Sequence, residues 1–205
     1  MAESDPLTFA LIIGSTRPNR FADVPARWIL EGAAARSDFT LETVDLRDWP
    51  MPFLEEPKSL HVTGGVYSNP IAERWRRAIG PFDGYIATVA EYNHGPTAVL
   101  KNALDSAHNE WKDKPVAFVG YGGVGGARAV EQLRLTAIEL QMAPIKHAVH
   151  IGQEPFLGVL MHGKRLDDYA FLAQSRSAMF DQLVWWARAL KAARYTTALT
   201  DAVTA

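Results

Sequence analysis

Cysteine is absent from the 205 residues of this chain. Its absence excludes disulfides, thiolate metal ligands and thiol-based redox or nucleophilic chemistry, and suits a cytoplasmic protein. An excess of charge is lacking too, with 21 Lys and Arg against 23 Asp and Glu, which argues against a nucleic-acid partner. No apolar run is long enough for a membrane span, since the first breaks at Gly14, and Glu3 and Asp5 are the reverse of a basic signal-peptide start. There is no Gly-x-Ser-x-Gly elbow and no Gly-Lys-Ser/Thr phosphate motif. His94, His108, His147, His150 and His162 fall at no i, i+4 spacing that would ligate a metal, so no metal site is expected. No side chain is assigned as a catalytic acid, base or nucleophile.

What is present is an alternation of short apolar runs and amphipathic stretches. Strands are expected at Thr8 to Ile13, Thr40 to Asp45, Gly84 to Ala90, Val116 to Tyr121 and Ile145 to His150. Helices are expected at Phe21 to Ala35, Pro70 to Ile79, Thr97 to Ala107, Ala127 to Leu140 and Asp167 to Leu190, with irregular stretches from Trp49 to Tyr67 and from Gly152 to Lys164. The pattern predicts one α/β domain over 1–205, with its core over about 7–192 and a flexible tail over 193–205. Parallel strands need crossover helices, so the sheet is doubly wound and covered on both faces.

In such a sheet a ligand lies beyond the carboxyl ends of the strands, where strand order reverses. The loop after the first strand reads Gly14-Ser15-Thr16-Arg17-Pro18-Asn19-Arg20-Phe21, with hydroxyls, two arginines and no acid, leading into a helix. Those residues suit a phosphate: Gly14 permits close approach, the helix start offers backbone N–H groups, and an arginine grips oxygens bidentately. The loop after the third strand is Glu91-Tyr92-Asn93-His94-Gly95-Pro96, and after the fourth comes Gly122-Gly123-Val124-Gly125-Gly126. A phosphate grip beside a flat hydrogen-bonding platform describes a site for a planar heterocycle with a phosphate tail. Gly120-x-Gly122-x-x-Gly125 also matches a dinucleotide fingerprint, but that motif belongs on the first strand and wants an acid at a strand end about twenty residues on, whereas Glu139 falls on a helix.

Gly14-Ser15-Thr16-Arg17, Glu91-Tyr92-Asn93-His94-Gly95-Pro96 and Leu100-Lys101-Asn102-Ala103-Leu104-Asp105, in this order, resemble the NAD(P)H-dependent FMN reductases, a group that includes quinone, azo-dye and chromate reductases. Glu56-Pro57, Tyr67, Trp75, Trp111 and the glycine loop extend the resemblance over roughly 8–150. Ala90 replaces the family's usual Pro, and Ser106 its usual Trp. The resemblance implies a flavodoxin-like five-stranded parallel sheet of order 2-1-3-4-5 and non-covalent FMN. The phosphate is then held by Ser15, Arg17, Asn19 and the backbone of Arg20, Phe21 and Ala22, and the ring by Glu91, Tyr92, Asn93, His94, Gly122 and Gly123. It implies hydride transfer from NADPH or NADH to FMN and then, by a ping-pong mechanism, to a small-molecule acceptor such as a quinone, an azo compound, free flavin or a metal oxyanion. The alternatives are a flavodoxin-like single-electron carrier, against which Arg17 and the lack of an acidic rim count, and a non-catalytic FMN-binding protein.

Lys101, Asn102 and Asp105 share a helix surface and are read as orienting the loop after the third strand, Glu91 to Pro96, rather than as a simple ion pair. The helices at Thr97 to Ala107 and Ala127 to Leu140 carry more apolar residues than one buried stripe needs, and in the resembling family these helices pair subunits. A homodimer or homotetramer is expected, with Val99 and Leu133 facing outward.

Overall fold

The computed structural model describes residues 6–64 and 67–204. In chain order they form β1 (Leu7–Ile13), α1 (Asp23–Ala33), β2 (Phe39–Asp45), α2 (Pro70–Ile79), β3 (Gly84–Ala90), α3 (Ala98–Asp105), β4 (Pro115–Tyr121) and α4 (Ala127–Glu139). β5 (Ala143–Pro144), β6 (Val149–Ile151), α5 (Gln153–His162) and α6 (Ala170–Thr204) follow. All strand pairings are parallel, in the order β2-β1-β3-β4-β5, with β6 pairing further along β4. This is the flavodoxin-like order, and it puts the strand reversal at β1 and β3.

The central strands are apolar throughout because both of their faces are covered. Every residue of β3 and β4 is buried, while β2 at the edge exposes Thr40, Glu42 and Thr43. Period-two alternation divides the core: Phe9, Leu11 and Ile13 join Trp28, Ile29, Leu172 and Leu183 on one face, and Ala10 and Ile12 join Trp75, Tyr85, Trp111 and Leu133 on the other. Trp75 Nε1 donates to the Ala103 carbonyl at 2.9 Å and Trp111 Nε1 to Leu104 at 3.0 Å, so the two indoles satisfy themselves while anchoring α3.

Several boundaries differ from the sequence expectation. The fifth strand is divided: Pro144 brings no N–H to the ladder, and the chain then leaves the sheet. Arg134 takes the Ile145 and Lys146 carbonyls at 2.7 and 3.1 Å, and Gln182 Oε1 accepts the His147 N–H at 2.8 Å. The stretch from Gly152 to Lys164, expected to be irregular, contains α5. Pro155 lies in its first turn, where its missing N–H is harmless, Gly163 closes it at φ 62°, and Phe156 packs 4.5 Å from Phe21, centroid to centroid. Gly158 is required there, because a Cβ would collide with the Tyr169 hydroxyl. The stretch over 193–205, expected as a tail, continues α6 to Thr204, and Arg194 Nη1 donates to the Asp113 carbonyl at 2.5 Å. Leu133, expected to face outward, is buried, whereas Leu135 and Ile138 are 71% and 60% exposed.

Candidate functional site

Three loops meet beyond the carboxyl ends of β1, β3 and β4. Gly14 ends β1 where no side chain fits, since a Cβ would strike the Thr88 carbonyl and the Leu100 side chain. Its N–H donates to Thr88 Oγ1 at 3.0 Å and its carbonyl accepts from Thr97 Oγ1, so β3 and the start of α3 clamp the turn. Beyond it the backbone N–H groups of Ser15, Thr16, Arg17, Asn19, Arg20, Phe21 and Ala22 donate to no acceptor among the described residues. Ala22 is buried and caps α1 without any side-chain acceptor. A run of unspent donors at a helix N-terminus is an anion cradle.

The loop's two arginines do different work. Arg17 is exposed and has no ion pair or hydrogen bond among the described residues. Arg20 is buried and committed: its nitrogens reach Asp23 Oδ1 at 2.6 Å, Asp45 Oδ2 at 2.5 Å and the Ser15 carbonyl at 2.5 Å. Burial alone would lower the Arg20 pKa, but hydrogen bonds to Asp45 and Asp23 outweigh it and hold it above the ordinary value. For Asp45, burial pushes upward and the Arg20 guanidinium more than compensates, leaving the carboxyl below its usual range. The Arg20 side chain therefore supports the loop from below, and only its backbone is free for a ligand.

Tyr92 joins the first loop to the second, its hydroxyl lying 3.1 Å from Ser15 Oγ. Asn93 and His94 adopt left-handed φ of 51° and 71°, and Tyr92 and Gly95 exchange backbone hydrogen bonds across this tight turn. The third loop abuts the second: the Glu91 N–H donates to the Tyr121 carbonyl at 3.3 Å, and Glu91 and His94 both bond Arg128. A Cβ on Gly123 would meet nothing within 4 Å, so a face stands open above that backbone. The Phe21 ring is packed against Tyr121, 5.3 Å between centroids, which leaves Phe21 only its backbone to offer. Burial pushes the Tyr121 hydroxyl pKa above its ordinary value and keeps it protonated.

A cleft of about 440 Å³ runs between the first two loops, lined by Ser15, Arg17, Tyr92 and also by Met51, Phe53, Thr97, Val99 and Asn102. Of the second group, Met51 and Thr97 were not singled out by sequence. Thr97 is an N-cap, accepting the Leu100 N–H at 3.2 Å, and so was legible as a helix start but not as a cleft wall. Asn102 Nδ2 donates to the Pro52 carbonyl at 2.9 Å and so holds the stretch after Trp49, not the Glu91–Pro96 loop as expected, while Lys101 and Asp105 simply pair at 2.6 Å on an exposed surface. The donors of the first loop and the open face of the third fit a phosphate-bearing planar cofactor. Among the described residues no cluster of three or more His, Asp or Glu could hold a metal ion, and no helix is long and apolar enough to cross a membrane.

Residues 7–155 match the family described as NADPH-dependent FMN reductase. An NAD(P)H-dependent FMN reductase from Schizosaccharomyces pombe is 35% identical over 147 residues, 70% of this chain and 73% of that one. An NAD(P)H:quinone oxidoreductase from Solanum tuberosum is 36% identical over 106 residues, 50% of this chain and 52% of that one. In fold, the chain superposes on the flavoenzyme NAD(P)H:(acceptor) oxidoreductase FerB from Paracoccus denitrificans with a TM-score of 0.69 at 23% identity, covering 89% of this chain and 97% of the other.

Proposed function

Because the chain belongs to the NADPH-dependent FMN reductase family, we propose that the three loops hold one FMN non-covalently and that the protein is an oxidoreductase using NADPH or NADH. When bound, FMN would supply the hydride and electron chemistry between NAD(P)H and a small acceptor such as a quinone, an azo compound, free flavin or a metal oxyanion. The chain's own part is to bind and orient. Arg17 and the unspent N–H groups of Ser15 to Ala22 grip the phosphate, with Ser15 Oγ and Asn19 beside it. The backbones of Glu91 to His94 and of Gly122 and Gly123 frame the ring. The open face over Gly123 admits donor and acceptor in turn, which gives ping-pong kinetics.

The observation that carries this reading is the run of N–H groups without acceptors, beside an unpaired arginine, among the described residues. Arg17→Ala should weaken FMN by about ten- to a hundredfold, the value of a charge-assisted grip of roughly 1.5–3 kcal/mol, while riboflavin binding stays the same. Titration of flavin fluorescence measures both. Equal losses for the two ligands, or a protein that takes up no FMN, would overturn the reading. Assembly as a homodimer or homotetramer through the exposed Leu135 and Ile138 of α4 belongs to the same proposal. A cytoplasmic location does too, on the cysteine-free composition alone.

A further inference from the structure

α4 starts at Gly126 with left-handed backbone, φ 67°, without a side-chain cap and without an acid in its own first turn. The missing acceptor comes from another loop. Glu91 Oε2 accepts the Arg128 backbone N–H at 3.1 Å and Glu91 Oε1 accepts Arg128 Nε at 2.5 Å, with Arg128 Nη2 on the same oxygen. The Glu91 side chain is only 5% exposed, so this carboxylate is turned away from the cleft and into α4. The remaining guanidinium nitrogen, Nη1, lies 2.8 Å from His94 Nε2. Arginine can only donate, so Nε2 must accept and the His94 proton sits on Nδ1. One turn further along α4, Gln132 Nε2 donates to the His94 carbonyl at 2.9 Å.

The start of α4 thus grips both ends of 91–94, the short segment whose last two residues, Asn93 and His94, are held at left-handed φ. Nothing within that segment beyond the Tyr92–Gly95 pair would keep it there. The glycine loop runs directly into the same helix start, with the Gly125 N–H donating to the Gly122 carbonyl at 2.9 Å; β6 and β4 hold it from beneath, since the Gly125 carbonyl accepts from His150 Nδ1 at 2.9 Å and a Cβ on Gly126 would collide with the Tyr121 N–H and Gly120. Both backbone platforms are therefore referenced to one helix end.

We propose that Arg128 is a positioning residue for the flavin ring, acting through Glu91 and His94 to set the spacing and tilt of the Glu91–His94 backbone against Gly122 and Gly123. This rests on the FMN reading above. Arg128 does not touch the phosphate loop, so its loss should be felt by the ring alone.

The test uses the FMN-loaded protein and three variants. Arg128→Met keeps the stem and the backbone N–H that Glu91 caps while removing the fork. Arg128→Lys keeps the charge without the fork, and Glu91→Gln weakens the acceptor. In Arg128→Met the dissociation constants of FMN and riboflavin should rise by the same factor, about tenfold. The visible band and midpoint potential of the bound flavin should shift with them. Arg128→Lys should recover only part of each change, and Glu91→Gln combined with Arg128→Met should be no worse than the more damaging single variant. Unchanged band, potential and affinities in Arg128→Met overturn the proposal and leave a helix cap only; so does a loss confined to FMN. If Arg128→Met does not fold, Arg128→Lys decides by the same readouts. Failure of the unsubstituted protein to take up flavin removes the FMN reading and this inference together, whereas normal uptake with an indifferent Arg128 removes this inference alone.

Discussion

Arg17 and Arg20 stand in one loop and have opposite fates, because one finds carboxylates and the other does not. Arg20 is buried between Asp23 and Asp45, with Arg47 Nη2 also 3.2 Å from Asp23. Arg20→Met would leave the two carboxylates side by side, with only Arg47 to answer them, and should cost about 2–4 kcal/mol in urea unfolding. The acid limb gives the sign. The folded Asp45 pKa lies below its ordinary 3.8, so its contribution is present above that value and is lost as pH falls through the depressed pKa. The gap between native and Arg20→Met should therefore shrink as pH drops below 3.8, which unfolding curves at successive pH values would check.

Lys114 shows the converse. Burial drives its pKa down from 10.5 to about 8, although Nζ donates to the Gly80 carbonyl and lies 3.3 Å from the Tyr85 hydroxyl. Between those values the unfolded chain binds the proton more tightly, so this group makes stability rise with pH from about 8 to 10.5. Lys114→Met should flatten that rise and stabilise the protein at pH 7 by about 1–3 kcal/mol in thermal or urea unfolding.

At the scale of elements, the 49–64 stretch has little regular structure but is far from unattached. Asn102 holds the Met51 and Pro52 carbonyls, and the Glu56 carboxylate accepts N–H bonds from Ser68 and Asn69. The Ser68 hydroxyl is the foremost cause of a lowered Glu56 pKa. The Tyr67 hydroxyl donates to Glu110 Oε2 at 3.2 Å. Because Asn102 is the tie nearest the cleft, Asn102→Ala should release the stretch around Pro52 while α3 persists. Limited trypsin cleavage at the exposed Lys58 should quicken about five- to tenfold, the value of one lost hydrogen bond of roughly 1–1.5 kcal/mol. An unchanged cleavage rate would mean that Glu56 and Tyr67 hold the stretch alone. Sequence showed the irregularity here through its prolines and glycines. It did not show the ties, because each joins residues distant along the chain.

For the whole molecule, the proposed assembly turns on which apolar surface is free to meet a second copy. Leu135 and Ile138 project from α4 into solvent, while Leu133 fills the core, so the outward stripe of this helix is now defined. Leu135→Glu with Ile138→Glu should leave the fold and its helical content intact yet yield a 22.6 kDa particle by light scattering, where the native chain should give a multiple of that mass. A native particle of 22.6 kDa would refute the assembly.

The sequence alone determined strands β1 to β4 and the donor-rich loop over 14–22. β1, β3 and β4 are legible because burial on both faces writes a continuous apolar run, and the 14–22 loop is legible because a cradle of successive N–H groups is built from neighbours in the chain. Tertiary structure decided the rest. Glu91 meets Arg128, and Arg20 meets Asp45, only because parallel register aligns the ends of β1, β2, β3 and β4. The fifth strand breaks where Pro144 brings no N–H and where Arg134 and Gln182 capture its backbone from other elements, and those two captures are tertiary. Apolarity by itself assigns Leu133 and Leu135 equally to core or surface; the rotation of α4 on the sheet, set by packing, separates them.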